Sequence, residues 1–407
     1  MVDKKNIPFY LVLGLVLSVY VSQCFGIKRL AADYHEIKPE LEIWYQQTTA
    51  SEWYGYQAIT EDGFTLNRWP RVWDCVIELI ILVSGGLLFL TMRNIEGRRN
   101  VTIILRSVAV SFSLCIAGVF VESLDSSSTI VPLNSPLIML GLLHLAGRLI
   151  LMTPFQRLPY LLSLSMICFL SHWAIMEYGF AIEKDMSVTG DNGEVQVAQE
   201  LSVWDDPGGI QRRFTNILTR VLPMSIKHDG ISSEYAHYSE INLISYFGLL
   251  CLGMASAAIH ESSVGRVRCG LQLCTLGVLF LILSLAMHLL GIPVVPSLAS
   301  PPHALLVSGF AYVMLSLAIV ISQSTKLVWC STPLIAVGSS SALIYVVERT
   351  LGMAVRAEVT KHLEPVFQPL FGDAWIKWEP IVFFNLVFLG LLAGALYLYR
   401  KRVSWTL

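Results

Sequence analysis

Ten stretches of about 20 apolar residues divide this chain. They cover residues 8–26, 70–92, 102–121, 131–153, 158–180, 241–260, 269–291, 303–323, 331–350 and 380–399. A hydrocarbon layer about 30 Å thick is crossed by a helix of this length, and a helix satisfies its backbone polar groups without help from water. The pattern predicts an all-α fold: a single domain over residues 1–407, built as a polytopic membrane bundle of about ten transmembrane helices. Composition agrees, with 54% of residues hydrophobic, 14% charged and a mean hydropathy of +0.61. Soluble domains carry about 25% charged residues. A net charge of −2 and the lack of a basic stripe give no sign of a nucleic-acid partner; the lipid bilayer is the expected one. Lys4 and Lys5 precede the first apolar run, which lacks a small-residue cleavage site, so that run is read as a retained helix.

Lys and Arg mark alternate connections: Lys4/Lys5, Arg93/Arg98/Arg99, Arg157, Arg266/Arg268, Lys326 and Arg400/Lys401/Arg402. The short opposite connections, 122–130 and 292–302, have neither residue. Positive charge stays on the cytosolic side, so both termini are expected there. The long connections 27–69, 181–240 and 351–379 then fall on the non-cytosolic side as extramembrane loops. They are rich in aromatics such as Trp44, Trp53, Tyr54 and Trp204, and are expected to form a cap. The sequon Asn100-Val101-Thr102 lies on the cytosolic side and is expected to go unused. The organelle stays open, with an endomembrane and the mitochondrial inner membrane both fitting.

The stretch 331–350 opens near Pro333 and carries Gly338-Ser339-Ser340-Ser341 at its middle. Small residues allow close helix approach in lipid. It is therefore expected to be the central helix of the bundle, with 380–399 as its partner.

Charges inside a membrane are costly and face protein, so each is a functional candidate. Asp74 and Glu78 stand four residues apart on one helix face, and His144 and Arg148 repeat that spacing. His172 and Glu177 lie on the fifth stretch. Asp74, Glu78, His288, His303 and Glu348 are expected to converge near the outward surface. A histidine beside carboxylates is what general-base chemistry requires; the plain alternative is a set of interhelical salt bridges. The eight cysteines sit in or beside apolar segments without metal-type spacing, so they read as packing thiols and no metal site is expected. No phosphate loop, nucleophile elbow or dinucleotide fingerprint occurs.

Gly338-Ser339-Ser340-Ser341-Ala342-Leu343-Ile344-Tyr345-Val346, Leu252-Gly253-Met254-Ala255-Ser256-Ala257, and Tyr399-Arg400-Lys401 with Trp405 carry a family likeness. Together with Gly141-Leu142-Leu143-His144-Leu145 they resemble segments of the heparan-alpha-glucosaminide N-acetyltransferase-like transmembrane acyltransferases. The resemblance covers about 250 residues. It implies transfer of an acetyl group from cytosolic acetyl-CoA to a glucosamine-type acceptor on the far side. It also implies a catalytic His and Asn, but the matching positions hold Gln57 and Ser22. An amide cannot take up and return a proton near neutral pH as imidazole does. Glu348-Arg349 stands where the family has His-Glu, and Asp74 stands where it has its second-span Asp.

Two readings follow. In the first the chain is an acetyl-CoA-dependent acyltransferase with Asp74, Glu78 and His144 as its polar participants. In the second it is a catalytically inactive homologue, a structural or accessory subunit of a membrane complex or a homo-oligomer. A transporter is disfavoured, since no inverted repeat is evident.

Overall fold

The structure is a computed structural model, and it describes residues 5–19, 75–93, 100–123, 135–179, 188–189, 195–196 and 241–401. Twelve α-helices carry most of these residues. They are α1 (Ile7–Val19), α2 (Val76–Arg93), α3 (Asn100–Ser123), α4 (Pro136–Leu151), α5 (Leu158–Ala174), α6 (Asn242–Ser262), α7 (Arg266–Leu289) and α8 (Pro301–Ile321). After them come α9 (Thr325–Cys330), α10 (Thr332–Ser339), α11 (Ser341–Phe371) and α12 (Asp373–Arg400). A π turn, Ile175–Gly179, extends α5. Two residues on each side form an antiparallel ladder, Val188–Thr189 with Val195–Gln196.

Five segments are long and apolar enough to cross a membrane: Val101–Val121, Leu158–Tyr178, Asn242–Ser262, Arg266–Leu289 and Pro301–Ile321. Ile7–Ser18, Val76–Met92, Pro136–Leu151 and Asn385–Arg400 are apolar but shorter. This is compatible with an integral membrane protein. The outer faces agree: Phe112 and Phe120 on α3, Ile167 and Leu170 on α5, and Ile282 on α7 are all exposed. A water-soluble monomer rarely leaves so much contiguous apolar surface uncovered.

The centre is α6, not the 331–350 stretch. α6 packs on α2, α4, α5, α7 and α8, and 72% of its apolar window is buried, against 17% for α3. Its small residues make this possible. A Cβ at Gly253 would overlap the Leu82 carbonyl, one at Gly85 would meet the Leu250 carbonyl, and one at Gly248 would press on Phe169. The backbones themselves are in contact there, which maximises dispersion and lets polar groups reach across. Ordered contacts fix the directions. Glu78 meets Tyr246 and Gly86 meets Gly253, so α2 and α6 run parallel. Gly270 faces Ser316 and Gly277 faces Gly309, so α7 and α8 are antiparallel. The bundle thus has a Glu78 end, where α2, α6 and α8 begin, and a Lys5 end, where Lys5 pairs with Glu261 at the close of α6.

The 331–350 stretch is interrupted. Ser340, with φ −118° and ψ 21°, separates α10 from α11. The same small residues explain both the break and the contact. Serines compete for backbone hydrogen bonds, as where Ser339 Oγ donates to the Ala336 carbonyl, and Gly338 lets α1 press in at Tyr10 and Gly14. Residues 351–379, expected to be a loop, are helical apart from the turn at Gly372, whose φ of 53° suits glycine. α11 is 31 residues long, about 46 Å, so its charged second half reads as a loop by hydropathy although it continues the helix.

Candidate buried acid–base centre

At the Glu78 end three helices bring together a carboxylate, an imidazole and a phenol. Glu78 lies in the first turn of α2, and its side chain is 4% exposed; His303 in α8 is fully buried. The His303 Nε2 atom is 3.7 Å from Glu78 Oε1. The buried Tyr246 hydroxyl on α6 donates to the same oxygen at 3.4 Å. Neither ring nitrogen of His303 has a hydrogen-bond partner among the described residues. A carboxylate held near one imidazole nitrogen, with the other nitrogen unengaged, is the arrangement a general base needs.

The frame that positions His303 is built from serines. Pro301 and Pro302 open α8, where a missing amide donor costs nothing. Ser300 Oγ donates to the Pro293 carbonyl at 3.0 Å and accepts from the Val295 amide at 2.9 Å, closing the turn before the helix. Ala299 sits at φ 44°, uncommon for a side chain with Cβ. Its carbonyl accepts from Ser245 Oγ at 2.8 Å. Ser284 Oγ of α7 reaches the Pro302 carbonyl at 2.6 Å. Strained backbone that neighbouring groups over-determine is a feature of functional sites.

Of the residues expected to converge, Glu78 and His303 come together. His288 is only half-buried, near the end of α7. Asp74, Ser22 and Gln57 lie outside the described residues, as does the side chain of Glu348. His144 belongs to a different level: it sits on α4 one turn before Arg148, whose Nη2 donates to Thr91 Oγ1 at 3.2 Å near the far end of α2. The structure thus separates His144 from Glu78 rather than placing both in one site. His172 is fully buried on α5 with both ring nitrogens unpartnered among the described residues, while Glu177 is exposed.

Sequence reasoning passed over Tyr246, because a tyrosine in an apolar stretch gives no signal until its neighbour is known. It also passed over the pair at the Lys5 end where Cys269 Sγ lies 3.6 Å from His260 Nδ1. Among the described residues no group of three His, Cys, Asp or Glu side chains is placed to hold a metal ion. Comparison with models of protein families finds no match, and comparison with curated proteins finds none either.

Proposed function

We propose that this chain is an integral membrane acyltransferase in which His303, oriented by Glu78, is the general base. The supporting observation is the buried Glu78–His303 pair with Tyr246 on the same carboxylate oxygen. In this reading the acceptor's amine attacks the carbonyl of an acyl thioester such as acetyl-CoA. His303 takes the amine proton, the carbon–sulfur bond breaks, and the proton returns to the departing CoA thiolate. Donor and acceptor are both substrates. His303 then does the work that Gln57, at the family's histidine position, cannot do. The reading includes ten spans with both termini on the cytosolic side, which places the Glu78 end outward. The test is acetyl transfer from radiolabelled acetyl-CoA to glucosamine by the purified protein, compared with His303→Gln. At least a hundredfold loss in the variant, with Tm retained, supports the reading. Equal turnover in both removes His303 from the chemistry, and no turnover in either defeats the enzyme reading for this donor and acceptor.

One observation favours the accessory-subunit reading. The last turns of α11 expose Val366, Leu370 and Phe371, an apolar patch beside the α11–α12 turn. Purification in mild detergent with stoichiometric partners would support that role; a lone monodisperse species would count against it.

A further inference from the structure

The Lys5 end carries an open depression of about 690 Å³ where the α6–α7 turn meets the end of α8. Its polar lining is Arg266, Arg268 and Gln323; its apolar lining includes Val264, Val267 and Leu271. Those three apolar side chains, Val264 in the α6–α7 turn and Val267 and Leu271 at the start of α7, are 86%, 72% and 67% exposed. Among the described residues the charge beside them is unmatched. Arg266 donates to the Ser322 carbonyl at 3.4 Å, and among the described residues neither Arg266 nor Arg268 makes an ion pair. The nearest acid on α6, Glu261, is held by Lys5 at 3.4 Å. Both arginines also stand in the first turn of α7, where the helix dipole disfavours positive charge unless an anion is close. A second marker gives the depth. The short helix α9 follows α8 at this end and carries Trp329, 79% exposed, with Leu327 half-exposed. Exposed tryptophan beside apolar helix ends is the mark of the membrane–water boundary.

We propose that this depression binds the headgroup of an anionic phospholipid. Arg266 and Arg268 hold the phosphate, Gln323 donates to its ester or glycerol oxygens, and Val264, Val267 and Leu271 lie against the first methylenes of the acyl chains. The mixed lining separates this ligand from a soluble anion: a free phosphate would use the arginines and leave the three apolar residues in water. Arginine suits the task because its planar fork grips phosphate by two hydrogen bonds. The inference rests on the membrane reading but not on the acyltransferase one.

The test uses the full-length protein in neutral detergent micelles doped with phosphatidylglycerol or phosphatidylcholine, read as Tm against lipid fraction. Phosphatidylglycerol is expected to raise Tm in a saturable way, while phosphatidylcholine at the same fraction is not. The double variant Arg266→Gln/Arg268→Gln is expected to need at least about tenfold more phosphatidylglycerol for the same rise. If that variant does not fold, Arg268→Gln alone, at an exposed position, gives the same comparison with a smaller displacement. Equal shifts with both lipids, or an unchanged midpoint in the variants, overturn the proposal. Inorganic phosphate or free CoA reproducing the shift overturns it in favour of a soluble anion. Extraction of the native protein from membranes by alkaline carbonate defeats the membrane reading itself, independently of the lipid result.

Discussion

The two ends of α6 carry ionisable side chains in opposite ways. At the Glu78 end the ionisable groups are dry: Glu78, His303 and Tyr246 are enclosed by α2, α6 and α8, and serine-to-carbonyl bonds lock the turn beside them. At the Lys5 end Lys5 is 57% exposed, and Arg266 and Arg268 face outward from a turn. Desolvation makes the first arrangement expensive and unforgiving, whereas solvent screens the second. A buried ionisable cluster is weak evidence for stability. Exposed charges at a helix end point to what lies outside the protein.

The contrast breaks first in the packing that keeps the Glu78 end dry. Gly253→Leu forces a side chain into the Leu82 carbonyl, and neither backbone can withdraw without moving a whole helix. The expected loss is about 3 kcal/mol or more, seen as aggregation or a collapse of Tm in detergent. Gly394→Leu on α12, where a Cβ meets nothing within 4 Å, is the matched control and should stay within about 0.5 kcal/mol. Similar behaviour of the two variants would mean the α2–α6 contact is looser than described.

Next comes the Glu78–His303 contact. Glu78→Ala leaves His303 enclosed without its carboxylate and Tyr246 without that acceptor. The expected cost is about 1–3 kcal/mol. Glu78→Gln, which keeps an acceptor for Tyr246, should cost less. If both substitutions prove harmless, the carboxylate is wetter than its 4% exposure implies.

That pair was half legible in advance. A glutamate and a histidine inside apolar stretches announce themselves, because nothing but function or a partner keeps them there. Alternating spans then put Glu78 and His303 at one end. Tyr246 and Ser245 were silent, since both residue types are ordinary in membrane helices. The position of α6 at the centre was also silent. Leu252-Gly253-Met254-Ala255-Ser256-Ala257 and Gly338-Ser339-Ser340-Ser341 both carry small residues, and only the packing tells that one threads the bundle while the other breaks. The length of α11 was hidden for a different reason. Hydropathy reports the solvent rather than the backbone, so a helix leaving the apolar layer looks like a loop.

A smaller effect tests the polar ties around the centre. The Tyr312 hydroxyl on α8 donates to the Leu252 carbonyl of α6 at 2.8 Å, and Tyr312 is fully buried. Tyr312→Phe keeps the ring, including its edge contact with Phe280 at 5.2 Å, and removes only the donor. The expected cost is about 1 kcal/mol, a small but reproducible fall in Tm. A loss several times larger would show that this bond fixes how α8, and His303 with it, sits on α6.

The smallest effect belongs to the Lys5 end. Lys5 and Glu261 are 3.4 Å apart, the geometry of an ion pair, yet the ammonium is more than half exposed. Screening and side-chain entropy cancel most of the attraction in such a pair. Lys5→Ala should therefore change stability by less than about 0.5 kcal/mol at 0.15 M salt, with Tm nearly unmoved. Raising the salt should leave even that difference smaller. A loss comparable to that of Glu78→Ala would erase the distinction between the ends: the turn of α6 into α7 would then be enclosed by other residues of this chain, and its ionisable groups would be as dry as those around His303.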